Sequence, residues 1–306
     1  MSRAVRFDHY GEVEVLEVVD VERPKPGANE LLVQVRAAAI NPGEVSIREG
    51  RMHERWPATF PSGQGSDLAG TVLEIGDGVE GFAVGQEVLG FTHNRASHAE
   101  LVLARADQIV PKPANVPWEA AGSLGIAGTT AYAAVRAVAL TEGDTVVVSG
   151  AAGGVGSLAV QLARLAGASV IGLAGEANHR WLSEHHVIPV SYRDGVAERV
   201  DAASGGSVDA FIDTFGDGYV ELALALGIQP QRIDTIIDFQ AAQEHGVKAE
   251  GSMVASNAQV LTELAGLIDA GKLEVPIARV YPLEQVQDAF RELEQRHTRG
   301  KIVLTP

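Results

Sequence analysis

A glycine-rich turn that follows an apolar run constrains this chain more than any other feature. The run Thr145–Ser149 reads TVVVS, and Gly150–Gly156 continues as GAAGGVG into a helical pattern. The dinucleotide fingerprint Gly-x-Gly-x-x-Gly has Ala151 at its first position here, with Gly153 and Gly156 at the other two. The pattern predicts a strand, a turn whose backbone approaches a pyrophosphate, and a helix N-terminus that supplies N–H donors. A tight turn without a ligand is the alternative interpretation.

The end of the next predicted strand bears on which dinucleotide would bind. Units that bind NAD place an Asp or Glu at this point, where it contacts the ribose 2′-hydroxyl. The strand Ser169–Leu173 ends without an acid, and Glu176 comes only after Ala174 and Gly175. Small residues leave room for a 2′-phosphate, and Arg180 is near enough in sequence to pair with it. The sequence therefore favours NADPH over NADH, while Arg180 as a solvated helix residue stays open.

The composition excludes several classes of function. The chain has 306 residues, no cysteine and a formal net charge of −16. Without cysteine there is no disulfide, thiol nucleophile or cysteine-ligated metal, and an acidic chain lacks the basic surface that nucleic-acid binding needs. The uncharged stretch Val146–Ala163 approaches the length of a membrane span, but its glycines predict a strand, a turn and a buried helix. Since the first residues also lack an apolar leader, we expect a cytoplasmic protein that neither enters membranes nor binds nucleic acid.

Two patterns divide the chain. Residues 1–112 contain short β-branched runs between turn signals, which predict a barrel-like β unit. From Thr141 onward, apolar runs alternate with helical patterns, which predicts a parallel sheet with helices on both faces. The later elements are predicted as strands at Ile188–Val190, Arg232–Ile237, Lys248–Gly251 and Lys301–Leu304, and as helices at Ala258–Ala270 and Leu283–Gln295. The expected fold class is therefore α/β.

Six segments, taken in order, resemble one family. They are similar to motifs of the medium-chain dehydrogenase/reductase superfamily, in its zinc-free, quinone oxidoreductase-like branch, and the similarity runs over almost the whole chain. The segments are Asn41–Gly50, Gly65–Gly70, Ala127–Tyr132, Ala151–Gly156, Val208–Gly216 and Arg299–Leu304. The resemblance implies a GroES-like catalytic domain over residues 1–112 and 270–306, a Rossmann doubly wound domain over residues 113–269, and an active site in the cleft.

The resemblance also implies roles for individual residues. The catalytic residues that it implies are Asn41, Ser46 and Thr129. The residues implied to hold NADP(H) are Asn41, Thr129, Ala152, Gly153, Gly154, Val155, Gly175, Arg180, Tyr192, Phe215 and Gly216. The candidates for contacting substrate are Glu44, Trp56, Phe60 and His93. Each of these four has an alternative: Glu44, with Asp67, would hold Arg48 or backbone N–H groups, Trp56 and Phe60 would belong to a surface loop or to the core, and His93 would be a loop residue.

The positions of the family's zinc ligands carry other residues in this chain. Zinc-dependent members have a cysteine in place of Asn41 and a His-Glu pair in place of Ser66-Asp67. No metal is expected, so the resemblance favours hydride transfer to a quinone or an α,β-unsaturated carbonyl, whose developing enolate needs only hydrogen-bond donors. Many relatives have Tyr at the position of Ser46, so solvent or Ser46 is expected to supply the proton.

The partners and two alternative functions complete these expectations. The expected partner is a small electrophilic molecule, and relatives imply a homodimer. An enoyl-thioester reductase and a non-catalytic module that binds or senses NADPH are the alternatives to a quinone or enone reductase.

Overall fold

The computed structural model describes the whole chain, residues 1–306. Its strands, numbered in chain order, are β1 (Ser2–Phe7), β2 (Glu17–Val21), β3 (Glu30–Ala39), β4 (Ser62–Gly63), β5 (Asp67–Ile75), β6 (Glu87–Phe91), β7 (Leu101–Arg105), β8 (Ile109–Pro111), β9 (Thr145–Val148), β10 (Ser169–Leu173), β11 (Ile188–Val190), β12 (Ala210–Asp213), β13 (Ile233–Thr235), β14 (Ile277–Pro282) and β15 (Lys301–Thr305). Its α-helices are α1 (Pro42–Arg48), α2 (Trp118–Ala121), α3 (Thr129–Ala137), α4 (Gly156–Leu165), α5 (His179–Glu184), α6 (Val196–Ser204), α7 (Tyr219–Ala225), α8 (Phe239–His245), α9 (Ser252–Ala255), α10 (Ala258–Asp269) and α11 (Val286–Glu294).

The chain divides into two compact units, and the first consists mainly of antiparallel strands. It comprises residues 1–126 with 256–306. The larger sheet has the order β14-β15-β3-β5-β6-β8, with β7 also paired to β3, and the smaller sheet has the order β2-β1-β4. Strand β3 reads ELLVQVRAAA and is largely buried, because it pairs with three other strands. A core cluster joins Phe7, Leu16 and Phe290, so α11 packs against the first residues of the chain. The predicted β-rich unit is confirmed.

The second unit, residues 127–255, contains the predicted parallel sheet. Its strands lie in the order β11-β10-β9-β12-β13 and all pair in parallel. This is the order of a dinucleotide-binding fold, in which the direction of winding reverses beside the first strand. On one face, Phe211 and Ile233 pack with Val200 of α6 and Ala223 of α7. Helix α4 also packs on β9 and β10, and α3 packs on β13. The predicted alternation of strands and helices is confirmed.

The uncharged stretch Val146–Ala163 does not form one long helix. It is divided between β9, the glycine turn and α4, as its glycines predict. No helix of this structure has both the length and the apolar character that crossing a membrane requires.

The boundaries of the two compact units differ from those of the predicted domains. Residues 113–126 and 256–269 lie in the first unit, because α2 packs on β3 and α10 packs on β8. The assignment of separate functions to the two domains stays a prediction.

The region after β12 departs from the predicted secondary structure. The strand predicted at Lys248–Gly251 is wrong, since this segment makes only one bridge, between Lys248 and Asp234. Its chain leaves the sheet where the Glu250 N–H donates to the Asp234 carboxylate instead of to a strand (2.8 Å). Helices α8 and α9 lie where no helix is predicted.

Asp234 is a buried acid in the middle of β13. Its Oδ1 accepts the bond from Glu250, and its Oδ2 is buried without a hydrogen-bond partner. Burial, with smaller contributions from the charges of Glu250 and Asp213, raises the pKa of Asp234 to about 7. In the unfolded chain an Asp titrates near ~3.9, so the folded state holds an extra proton between these two values.

We predict that Asp234→Asn changes how stability depends on pH. The raised pKa stabilises the wild type below about pH 4 and this contribution is lost as pH rises to about 7, because the buried carboxyl must ionise. The unfolding free energy of the variant relative to wild type should therefore increase by roughly 2–4 kcal/mol between pH 4 and pH 8. Urea unfolding at several pH values measures it, with the exposed Asp201→Asn as control. A difference that stays constant with pH would contradict this role.

Candidate functional site

The glycine turn between β9 and α4 is built from backbone-to-backbone contact. Gly150 has φ +56°, and a Cβ placed on Gly156 would lie 2.1 Å from the Gly150 carbonyl oxygen. No side chain fits there, so Gly156 lets the helix begin directly against the turn. The Gly153 N–H donates to the Gly150 carbonyl at 2.8 Å, which closes the turn, and its own Cβ would lie 3.2 Å from the same oxygen. The helix N-terminus therefore faces a loop of almost bare backbone, the arrangement that holds phosphates.

A second turn, residues 214–218, lies beside the glycine turn at the end of β12. Thr214 Oγ1 donates to the Ser149 carbonyl (2.7 Å), and the Thr214 N–H donates to Ser149 Oγ (2.9 Å). A Cβ on Gly150 would lie 2.8 Å from Thr214 Oγ1. The predicted cofactor residues Phe215 and Gly216 are thus brought next to the predicted pyrophosphate loop.

The end of β10 holds the residues predicted to surround a 2′-phosphate. A Cβ on Gly175 would lie 3.6 Å from the ring of Tyr192, so these two residues are neighbours. Arg180 lies on α5, where its Nε donates to Glu184 Oε1 at 2.8 Å and its side chain is 89% exposed. Glu176 is also exposed, in a 3-10 turn. The structure therefore leaves Arg180 able to move toward a ligand but does not hold it there.

The small residues around the segment Ala127–Tyr132 have close packing contacts. Gly125 belongs to a π-helical turn, and a Cβ on it would lie 2.7 Å from Asp67 Oδ1 and from the Gly90 carbonyl oxygen. Thr129 begins α3 with a buried side chain. Close packing against Asp67 and Gly90 therefore explains the glycine at position 125.

A network of buried polar groups surrounds Asn41 in the first unit. Lys301 Nζ donates to Asn41 Oδ1 (2.6 Å) and to the Ile40 carbonyl (3.0 Å). Asn41 Nδ2 donates to Asp67 Oδ2 (2.8 Å), and the Asn41 N–H donates to Glu44 Oε2 (3.0 Å). Hydrogen bonds therefore hold both the oxygen and the nitrogen of the Asn41 side-chain amide.

The carboxylates of this network accept hydrogen bonds from backbone N–H groups. Glu44 accepts the Ser66 N–H (3.2 Å) and caps α1, and Asp67 accepts the Ile126 N–H (2.6 Å). Of the roles left open for these two acids, binding backbone N–H groups is observed. An ion pair of either acid with Arg48 is not observed, because Arg48 pairs with Glu49 and Glu294 instead. A contact between Glu44 and substrate stays a prediction.

Burial shifts the protonation of this network. It raises the pKa of Glu44 to about 7 and of Asp67 to about 6, although Lys301 opposes both shifts. It lowers the pKa of His98 to about 4, and it lowers the pKa of Lys301. His98 Nε2 lies 3.3 Å from the Ala39 carbonyl, so a neutral imidazole with its proton on Nε2 fits the site. One ammonium thus compensates two carboxyls that ionise near neutral pH.

The remaining catalytic and substrate candidates of the first unit are half-buried or exposed. Ser46 Oγ accepts from Arg51 Nη2 at 3.2 Å. Trp56 lies 4.5 Å from the guanidinium carbon of Arg55. Phe60 is 40% exposed and packs edge-on against Phe7 and Tyr10, and exposed His93 packs against Phe91. Phe60 therefore has the core contact that the alternative interpretation predicts, and its outer edge stays accessible.

Comparison with known proteins assigns the family. Residues 27–137 match the alcohol dehydrogenase GroES-like domain, and residues 182–304 match the zinc-binding dehydrogenase family. A mouse quinone oxidoreductase is 30% identical over 99% of this chain and 98% of its own length. The chain belongs to the medium-chain dehydrogenase/reductase superfamily, in its quinone oxidoreductase-like branch. It is accordingly an oxidoreductase, and the resemblance seen in the sequence is confirmed.

Solved structures of this superfamily agree with the fold. The quinone oxidoreductase of Coxiella burnetii has a TM-score of 0.87 at 30% identity, covering 100% of this chain and 99% of its own. The Escherichia coli quinone oxidoreductase, solved in complex with NADPH, has a TM-score of 0.88 at 26% identity, covering 99% of this chain and all of its own. The predicted GroES-like and Rossmann architecture is confirmed.

Three features of this superfamily member were missed from the sequence. The box Asn41-x-x-Glu44 is a readable helix-start signal, since each residue caps the other's backbone. Lys301 and Asp213 have no such signal, because their partners lie far away in the chain. No group of three or more His, Asp or Glu side chains is arranged to hold a metal.

We predict that Lys301→Met destabilises the protein in a pH-dependent way. Removing the ammonium leaves Glu44 and Asp67 buried without a compensating charge, which costs about 3–5 kcal/mol when both ionise. Both folded pKa values are already raised and should rise further, so the loss should be greatest near pH 8 and shrink toward pH 5. Chemical unfolding at both pH values measures it. The exposed Lys272→Met is the control, and an equal loss at both pH values would contradict the charge argument.

Proposed function

We propose that this oxidoreductase uses NADPH to transfer a hydride to a quinone or an α,β-unsaturated carbonyl compound, without zinc. The observation that carries the proposal is the turn before α4, where only backbone fits between Gly150 and Gly156. The similar E. coli enzyme, solved with NADPH, supports the choice of cofactor. The substrate class rests on the names of the similar quinone oxidoreductases.

The turns that follow β9 and β12 form the centre of the proposed dinucleotide site. The proposed contacts are Ala152, Gly153, Gly154 and Val155 at the pyrophosphate, Phe215 and Gly216 at the nicotinamide ribose, Gly175, Arg180 and Tyr192 at the 2′-phosphate, and Asn41, Ser46 and Thr129 at the reacting end. The cradle at Gly153 and Gly156 has the close backbone approach that such a ligand needs. When bound, NADPH supplies the hydride.

Ser46 is the proposed proton donor of this chain. Its Oγ accepts a bond from the Arg51 guanidinium, so its own hydroxyl proton remains available for a substrate oxygen. A nearby guanidinium also favours negative charge that develops on that oxygen.

The network around Asn41 supports chemistry without zinc. Lys301 Nζ lies 2.6 Å from Asn41 Oδ1 and 3.9 Å from Asp67 Oδ2. A fixed ammonium at this distance repels a second cation, and a carboxamide in place of a thiolate removes a strong zinc ligand. The homodimer and the cytoplasmic location stay predictions.

We predict that Arg180→Ala weakens NADPH binding but not NADH binding. Arg180 is the proposed partner of the 2′-phosphate, which NADH lacks, and bonds of this kind are strong because both groups are charged. The dissociation constant for NADPH should rise about tenfold or more, as measured by fluorescence titration. Arg23→Ala, at an exposed ion pair of the first unit, is the control. Equal effects on the two cofactors would rule out the proposed contact.

The direct test is NADPH oxidation with a panel of quinones, enones and enoyl-thioesters. We predict turnover by the wild type and none by Gly153→Val, because a side chain there meets the Gly150 carbonyl and fills the pyrophosphate position. Gly266→Ala is the matched control, since a Cβ at Gly266 has no neighbour within 4 Å. Turnover of enoyl-thioesters alone would replace the proposed substrate class. Tight NADPH binding without turnover of any substrate would indicate a binding module.

A further inference from the structure

Asp213, at the end of β12, is a completely buried acid with no role assigned so far. Its Oδ1 accepts from Ser149 Oγ (2.6 Å), the Phe215 N–H (3.0 Å) and the Gly216 N–H (2.9 Å). Its Oδ2 accepts from Thr235 Oγ1 (2.7 Å). One side chain therefore joins the ends of β9, β12 and β13.

We propose that Asp213 is the positioning residue for the nicotinamide half of the cofactor. The inference rests on the proposed function, which places Phe215 and Gly216 at the nicotinamide ribose. Asp213 does not need to touch the cofactor, because it acts through the turn at residues 214–218. Its hydrogen bonds hold the backbone N–H groups of that turn from inside the protein.

The turn that Asp213 holds contains three consecutive residues with left-handed backbone. Gly216, Asp217 and Gly218 have φ values of +80°, +62° and +83° in succession. For Asp217 the left-handed region is unfavourable, so the turn needs bonds that keep it in place. A turn already fixed before the cofactor arrives saves the entropy of ordering it on binding.

The same network connects this turn to the pyrophosphate loop. Ser149 donates to Asp213 while its oxygen accepts the Thr214 N–H, and Thr214 Oγ1 donates back to the Ser149 carbonyl. Gly150, the next residue, starts the glycine loop. Asp213 thus sets the spacing between two segments that are proposed to contact neighbouring parts of one cofactor, its pyrophosphate and its nicotinamide ribose.

An amide cannot replace this carboxylate. Four donors point at two oxygens of Asp213, and Asn offers one acceptor oxygen and two further donors. With its amide nitrogen toward Thr235, Asn would donate to a hydroxyl oxygen that already accepts from the Ile237 and Asp238 N–H groups. In the flipped orientation, the nitrogen would face the N–H groups of Phe215 and Gly216. Either orientation leaves a buried donor unmatched.

The test compares NADPH with adenosine 2′,5′-bisphosphate, which contains the adenosine half alone. In Asp213→Asn, the dissociation constant for NADPH should rise about tenfold or more, while that for the fragment stays within about twofold of wild type. The matched control is Asp234→Asn, which replaces a buried acid on the neighbouring strand without any contact to the turn. It should leave both constants unchanged.

A second variant keeps the test decisive if Asp213→Asn folds poorly. Ser149→Ala removes one donor to Asp213 and one acceptor for Thr214, so it should weaken NADPH binding in the same direction by a smaller factor. In the double variant the two effects should not multiply, because they act on one network. Equal weakening of NADPH and the fragment, or no weakening in either variant, would overturn the role of Asp213. If the wild type binds no NADPH, the proposed function fails and this inference fails with it.

Discussion

The contact between the backbones of Gly150 and Gly156 is the constraint on which the nucleotide-binding face of the second unit depends. With 2.1 Å between the Gly150 oxygen and a Cβ at position 156, strand and helix can be this close only if position 156 has no side chain. The residues beside this contact are also closely packed. A Cβ on Gly172 would lie 2.9 Å from the Ala151 Cβ, and one on Gly150 would lie 2.8 Å from Thr214 Oγ1. Small residues on three adjacent strands are thus parts of one steric requirement.

The two units bury charge in different ways. In the first unit, Lys301 compensates Glu44 and Asp67, and the pKa values of both acids stay raised because burial outweighs its attraction. In the second unit, Asp213 receives one hydroxyl and two backbone donors at Oδ1 and one hydroxyl donor at Oδ2. Asp234, one register position earlier on the next strand, has a single donor and a pKa raised to about 7. Each donor replaces a hydrogen bond to water that burial removes, so the single donor to Asp234 leaves most of the cost of burying its charge uncompensated.

Local signals made most of the fold predictable from the sequence. Apolar runs and glycine turns gave β9, β10 and β11 nearly to the residue. Helix α8 also had readable signals, since Asp238 caps it by accepting the Ala241 N–H and Gly246 follows it with φ +65°. Its short, polar sequence lacks the apolar period on which helix prediction relies. The strand at Lys248–Gly251 was overpredicted because pairing depends on the neighbouring edge, where the Asp234 side chain takes the hydrogen bond of Glu250.

The candidate site was predictable to a different extent at its two ends. Where backbone geometry decides, as at Gly156, a spacing of glycines is sufficient, because only glycine satisfies the contact. Where a long side chain determines binding, as at Arg180, the fold fixes only the backbone position from which that side chain extends. An exposed ion pair with Glu184 also competes for the guanidinium. Ordering such a side chain on a ligand cancels part of the gain from the new bond. In the proposed site, the pyrophosphate and the nicotinamide side are therefore recognised by the folded backbone, whereas the proposed discrimination at the 2′-phosphate relies on an exposed side chain.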